Sequence, residues 1–214
     1  MTNETTKRII SSIVLVPFAF FFIIKGSYFF IFFISMCFLI TIYEWYQISS
    51  KKNYFFFGLF FLILSFYSVY LFREKYFVFF LLVFLTCIGT DIGGYIFGKI
   101  FKGPKLIKIS PNKTYAGMFG GYFLSIIFVY ILTKYSFFID NNLINNFGYD
   151  EFIFVLIIST VSQIGDLIIS FFKRCSKIKN TGNILPGHGG LLDRVDGMIF
   201  AVPFAYIYIF LLSN

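Results

Sequence analysis

The residues best equipped for chemistry in this 214-residue chain lie between Ser159 and Gly197. Asp193 and Asp196 stand at i and i+3, so a helix start there places both carboxylates on one face, where they can share a hard cation such as Mg2+. A lone Asp-Arg-x-x-Asp also suits a helix cap with a surface ion pair. Here it opens an apolar run, follows a glycine-rich stretch and comes after another acid, Asp166, which favours the metal. The stretch Thr181 to Gly190 holds four glycines and a proline, enough for a tight loop whose backbone N–H groups could receive an anion. His188, the only histidine, has no His or Cys companion at zinc-ligand spacing and is read as a phosphate or substrate contact.

Upstream, Ser159, Ser162, Gln163, Asp166, Ser170, Lys173 and Lys177 recur at steps of three and four, within about 60° of one direction on a helix. Such a polar stripe on an apolar helix cannot face lipid and must line a cavity or a protein interior. Cys87, Asp91, Gly94 and Gly98 form a second stripe, a carboxylate beside small residues that let another backbone approach. It suits helix packing with a polar anchor, or function, which ionisable groups in apolar spans usually mark. A third segment, Lys99 to Thr114, carries five lysines and no acid. Part of that excess belongs to membrane topology, but Ser110, Lys113 and Thr114, hydroxyls flanking an ammonium in a turn, also suit an oligophosphate.

The elements that must hold these residues are set by lipid. Hydrophobic residues make up 58% of the chain, aromatics 24% and charged residues only 13%, and the 35 Phe could not all be interior in a water-soluble fold of this size. Seven apolar runs approach the roughly 20 residues a transmembrane helix needs: 9 to 24, 28 to 48, 54 to 72, 76 to 98, 117 to 133, 152 to 172 and 195 to 212. The first has no small-x-small cleavage site and is read as a retained span. The expectation is an all-α, polytopic helical bundle forming one membrane domain over residues 1–214. A cytoplasmic N-terminus places 14 basic residues inside and 4 outside, and the C-terminus then lies outside. The net charge of +8 therefore reads as cytoplasmic loops and anionic headgroups, not nucleic acid. Three cysteines, two of them in apolar runs, imply no disulfide framework.

At these residues the chain resembles the phosphatidate cytidylyltransferases, or CDP-diacylglycerol synthases. The family signature is matched by Ser170, Lys173, Arg174, Lys179, Pro186 to Gly190, Asp193, Arg194 and Asp196, with a Gln-x-Gly-Asp-Leu element at Gln163 to Leu167 and Ser-Pro-x-Lys-Thr at Ser110 to Thr114. The family-like part covers roughly residues 85–200. Asn180 stands where the family usually has Asp, Ala116 where Glu is common, and the N-terminal half is short, so a helix count is not carried over from longer relatives. The resemblance implies transfer of a cytidylyl group from CTP to phosphatidate at an inner-membrane site facing the cytoplasm. It implies Asp166, Asp193 and Asp196 as Mg2+ ligands, with Lys173, Arg174 and Lys113 on phosphate oxygens. Ser110, Thr114, His188, Gly189, Gly190 and Arg194 would contact substrate, and a second cation and a homodimer are expected. The rival CDP-alcohol phosphatidyltransferases share Asp-x-x-Asp-Gly but continue with two further aspartates, whereas no acid follows Gly197 here. A cation transporter using Asp91 and Asp166 would be supported by internal symmetry, and none is evident.

Overall fold

Apolar runs this long leave the backbone no partner but itself, so each closes into a helix. A computed structural model describes residues 17–107, 110–135, 148–182, 184 and 189–212. Residues 17–25 are helical. They are followed by α1 (Ser27–Ser49), α2 (Phe55–Lys75), α3 (Phe77–Phe101), α4 (Tyr115–Tyr135), α5 (Tyr149–Cys175), a single turn α6 (Leu192–Val195) and α7 (Met198–Leu212). The chain is thus an all-α polytopic membrane protein. Five of these helices, α1 to α5, are long and apolar enough to span a bilayer. The helices match the expected runs closely, with two differences. The run at 9–24 lies partly outside the described residues, and the last begins three residues later than expected, because the Asp193 turn is a separate helix. With 15 residues, α7 is about 22 Å long, short of a bilayer's hydrocarbon core.

The lysine-rich segment is not wholly loop. Lys105–Ile107 (β1) and Ser110–Thr114 (β2) pair antiparallel, with Lys105 opposite Thr114 and Ile107 opposite Ser110. The turn into it, after α3, has Lys102 and Gly103 both at positive φ, a conformation that suits glycine best.

The chain divides into two compact units. The first comprises residues up to Glu74 with Phe172–Asp196; the second comprises Lys75–Phe171 with the residues from Gly197 onward. Within the first, Phe38 of α1 meets Phe66 of α2, and Trp45 packs edge-on to Phe172 while donating its indole N–H to the Phe55 carbonyl. Arg73 donates to the carbonyls of Ile23 and Ile24, closing the end of the helical stretch 17–25.

In the second unit, glycines decide how closely helices approach. A Cβ on Gly93 of α3 would collide with the Gly120 carbonyl of α4, and one on Gly117 would come within 2.7 Å of the Gly94 carbonyl. On α3 the closest approach is thus made at Gly93 and at Gly89, whose Cβ would lie 2.7 Å from Ser125, rather than within the expected stripe, where a Cβ on Gly94 would meet only an ordinary 3.8 Å contact. Asp91 lies on an exposed part of α3, while Cys87 is buried. Leu82, Val129 and Val155 form a buried cluster joining α3, α4 and α5.

Candidate functional site

The polar stripe on α5 faces protein, as its composition demanded. Ser159, Ser162, Ser170 and Lys173 are buried. Ser159 accepts a hydrogen bond from Thr90 of α3 at 2.8 Å, and Gln163 donates to the Met118 carbonyl of α4 at 3.4 Å. The stripe stops short of Lys177, however. The helix ends at Cys175, and Lys177 occupies a left-handed turn conformation with an exposed side chain. Arg174 is also exposed, and donates to the Ile178 carbonyl.

Two lysine–carboxylate pairs join sequence-predicted site residues, one in each unit. In the second unit Lys113, at the end of the hairpin, forms an ion pair with Asp166, whose other carboxylate oxygen accepts a long hydrogen bond of 3.3 Å from Ser170. Both partners keep about a quarter of their side-chain surface, 25% for Lys113 and 28% for Asp166. Thr114 is occupied locally: its hydroxyl accepts from the Gly117 N–H at 3.1 Å, capping the start of α4. Ser110 is half-buried in β2.

In the first unit Lys173 pairs with Asp193 Oδ1 at 2.8 Å, with side-chain exposures of 11% and 9%. Asp193 Oδ2 accepts the backbone N–H groups of Thr181 at 2.9 Å and Gly190 at 3.0 Å. Glu44, near the end of α1, reaches the same loop from the other side. Its Oε1 accepts the Leu191 N–H, and its Oε2 accepts the Leu192 N–H and the Thr181 hydroxyl, each at 2.8 Å. The N–H groups of Thr181, Gly190, Leu191 and Leu192 are thus held by two carboxylates of the chain, while residues 183 and 185–188 of the glycine stretch expected to receive an anion lie outside the described residues.

The i, i+3 placement of Asp193 and Asp196 holds. Asp193 lies within α6, and Asp196 follows it with helical dihedrals and is buried. Gly190 is buried and Gly189 sits at φ +91°, where a side chain is strained. Arg194 and Asn180 are exposed. His188, Pro186 and Gly187 lie outside the described residues.

Asp166, Asp193 and Asp196 offer the hard oxygen donors Mg2+ prefers. On Asp193, Oδ2 accepts two N–H groups, while among the described residues Oδ1 meets Lys173, and a carboxylate oxygen can accept a second partner. Among the described residues no group of three or more His, Cys, Asp or Glu side chains is assembled into a metal centre. Glu44 escaped the sequence reading. The available signal was an acid inside an apolar run, a costly placement that usually has a purpose.

Comparison with known proteins places these residues in context. A model of the cytidylyltransferase family matches residues 6–79 and 54–212. A phosphatidate cytidylyltransferase of Haemophilus influenzae is 39% identical over 136 residues, covering 62% of this chain and 46% of that protein. One of Staphylococcus haemolyticus is 44% identical over 124 residues, 58% of this chain and 45% of the relative. One of Staphylococcus aureus strain COL is 36% identical over 181 residues, 79% of this chain and 65% of the relative. The chain thus spans from about half to just under two thirds of the length of these relatives.

Proposed function

Because the chain belongs to the cytidylyltransferase family, we propose that it transfers a cytidylyl group from CTP to phosphatidate, giving CDP-diacylglycerol and pyrophosphate. The observation that carries this reading is the pair of ammonium–carboxylate contacts, Lys113–Asp166 and Lys173–Asp193. Phosphoryl transfer needs positive donors for phosphate oxygens and carboxylates for a divalent cation, and both pairs fall inside the family-matching residues. A phosphate oxygen of phosphatidate attacks the α-phosphorus of CTP. The bond from that phosphorus to the β-bridging oxygen breaks, and its electron pair leaves with pyrophosphate.

Lys113, Lys173 and Arg174 hold phosphate oxygens, and each ammonium keeps donors beyond the one its carboxylate takes. The cation assigned to Asp166, Asp193 and Asp196 is Mg2+, which when bound would offset the charge accumulating on the phosphates. This assignment rests on donor chemistry and on the family resemblance. Ser110, Arg194, Gly189 and Gly190 serve substrate contact, Gly190 by means other than its N–H, which Asp193 holds, with His188 as a further phosphate contact. The proposal extends to a second cation, a homodimer, and an inner-membrane location with the hairpin and the glycine loop facing the cytoplasm, where CTP is found and the 14 to 4 basic bias points.

The test is incubation of the purified protein with labelled CTP or dCTP, phosphatidate and Mg2+. A labelled lipid is expected from these and not from labelled ATP. Equal turnover with ATP overturns the assignment, and labelling that requires CDP-diacylglycerol as donor favours a phosphatidyltransferase.

A further inference from the structure

Glu44 is fully buried, and its carboxylate receives three hydrogen bonds, all from the segment that carries Asp193. The sequence separation is large, 137 residues to Thr181 and 148 to Leu192. The contacts are also intimate. A Cβ on Gly190 would collide with the Thr181 hydroxyl and lie 2.5 Å from Glu44 Oε2, and one on Gly182 would lie 3.0 Å from Oε1. Small residues at both ends of the loop thus leave room for this one acid. The same loop is held from its other side by Asp193, which takes the N–H groups of Thr181 and Gly190. Thr181 is the shared member: its hydroxyl goes to Glu44 and its N–H to Asp193.

We propose that Glu44 is a positioning residue for cytidylyl transfer. Its carboxylate clamps Thr181 and the first turn of α6, and so sets where Asp193 presents the oxygen shared with Lys173 and where Arg194 leaves the loop. The proposal rests on the transfer reading above. It gives the N-terminal half of the chain a task beyond spanning lipid, since an acid on α1 orders a loop that follows α5. Geometry also makes the carboxylate specific. Leu191 donates to one oxygen and Leu192 to the other, so an amide at this position turns its NH2 toward a backbone N–H in either flip. Glutamine matches glutamate in volume yet fails as the clamp.

The experiment compares the full chain with Glu44→Gln, using Glu74→Gln in the same unit as a control. Two readouts are taken: kcat and KM for phosphatidate, and amide hydrogen exchange across residues 181–193. Glu44→Gln is expected to lower kcat on the order of tenfold or more with KM little changed, and to speed exchange at Leu191 and Leu192 while α1 and α2 keep their protection. A role in bulk packing alone moves neither readout. Wild-type kcat with unchanged exchange in Glu44→Gln overturns the clamp. Should that variant fail to fold, Thr181→Val and Thr181→Ser decide the question. Valine removes the hydroxyl donor and should lose activity several-fold with faster loop exchange, while serine restores both; valine indistinguishable from wild type overturns the proposal. If the wild-type protein makes no labelled lipid, the transfer reading fails, and exchange at Leu191 and Leu192 alone decides whether Glu44 holds the loop.

Discussion

The two lysine–carboxylate pairs of the candidate site use the same chemistry in different settings. Lys173–Asp193 is about nine-tenths buried, and Asp193 also takes two backbone N–H groups, so its carboxylate organises a loop. Lys113–Asp166 keeps about a quarter of its surface and has one long hydroxyl contact besides the pair itself. A buried pair knitted into backbone cannot change partners without disturbing the loop around it. A part-buried pair with little other support can release its ammonium or its carboxylate to a phosphate or a cation at smaller cost. The first region is built to hold a geometry and the second to exchange partners.

The widest effect should follow Asp193→Asn. The amide keeps an oxygen for Thr181 and Gly190 but turns an NH2 toward Lys173, leaving a buried ammonium unpaired. Activity is expected to fall on the order of 100-fold or more, and stability by about 3 kcal/mol. Labelled-lipid turnover and thermal unfolding in detergent measure the two. Near-normal turnover at low Mg2+ in both Asp193→Asn and Asp196→Asn would mean that these acids only cap a helix.

Asp166→Asn and Lys113→Met should separate the two properties. A comparable activity loss, on the order of 100-fold, is expected, with a smaller stability change, about 1 kcal/mol, because the pair is only part-buried and loosely supported. If the unfolding temperature falls as far as in Asp193→Asn, the contrast between the regions fails.

Reporter fusions sharpen the comparison by asking whether both regions face one side of the membrane. Fusions near residues 52, 105 and 180 should report the cytoplasm, and one near 140 the outside. Opposite faces for 105 and 180 would defeat a shared active site.

The smallest effects belong to Asp91 and Asn180. Asp91→Asn, on an exposed part of α3, and Asn180→Asp, on an exposed loop position, should each leave activity within roughly tenfold, about 1.4 kcal/mol. A gain of several orders of magnitude in Asn180→Asp would make that carboxylate central to the chemistry.

Much of this protein follows from its sequence alone. Apolar run length determined the helices, because in lipid a backbone has no alternative hydrogen-bond partner. The three- and four-residue spacing of Ser159, Ser162, Ser170 and Lys173 determined which face of α5 turns inward, and the i, i+3 spacing placed Asp193 and Asp196 on one turn. These are local periodicities, and local geometry enforces them. Tertiary structure decided the partners. Nothing within a few residues of Lys113 points to Asp166, and nothing near Glu44 points to Thr181, 137 residues away. The hairpin at Lys105–Thr114 depends on cross-strand pairing, and the late start of α7 on a separate turn carrying Asp193. The glycine loop makes the distinction plain. Its composition allowed N–H groups open to an anion, but in the folded chain those of Thr181, Gly190, Leu191 and Leu192 go to Glu44 and Asp193. A buried donor takes the acceptor that packing brings within about 3 Å, and only the folded chain determines which acceptor that is.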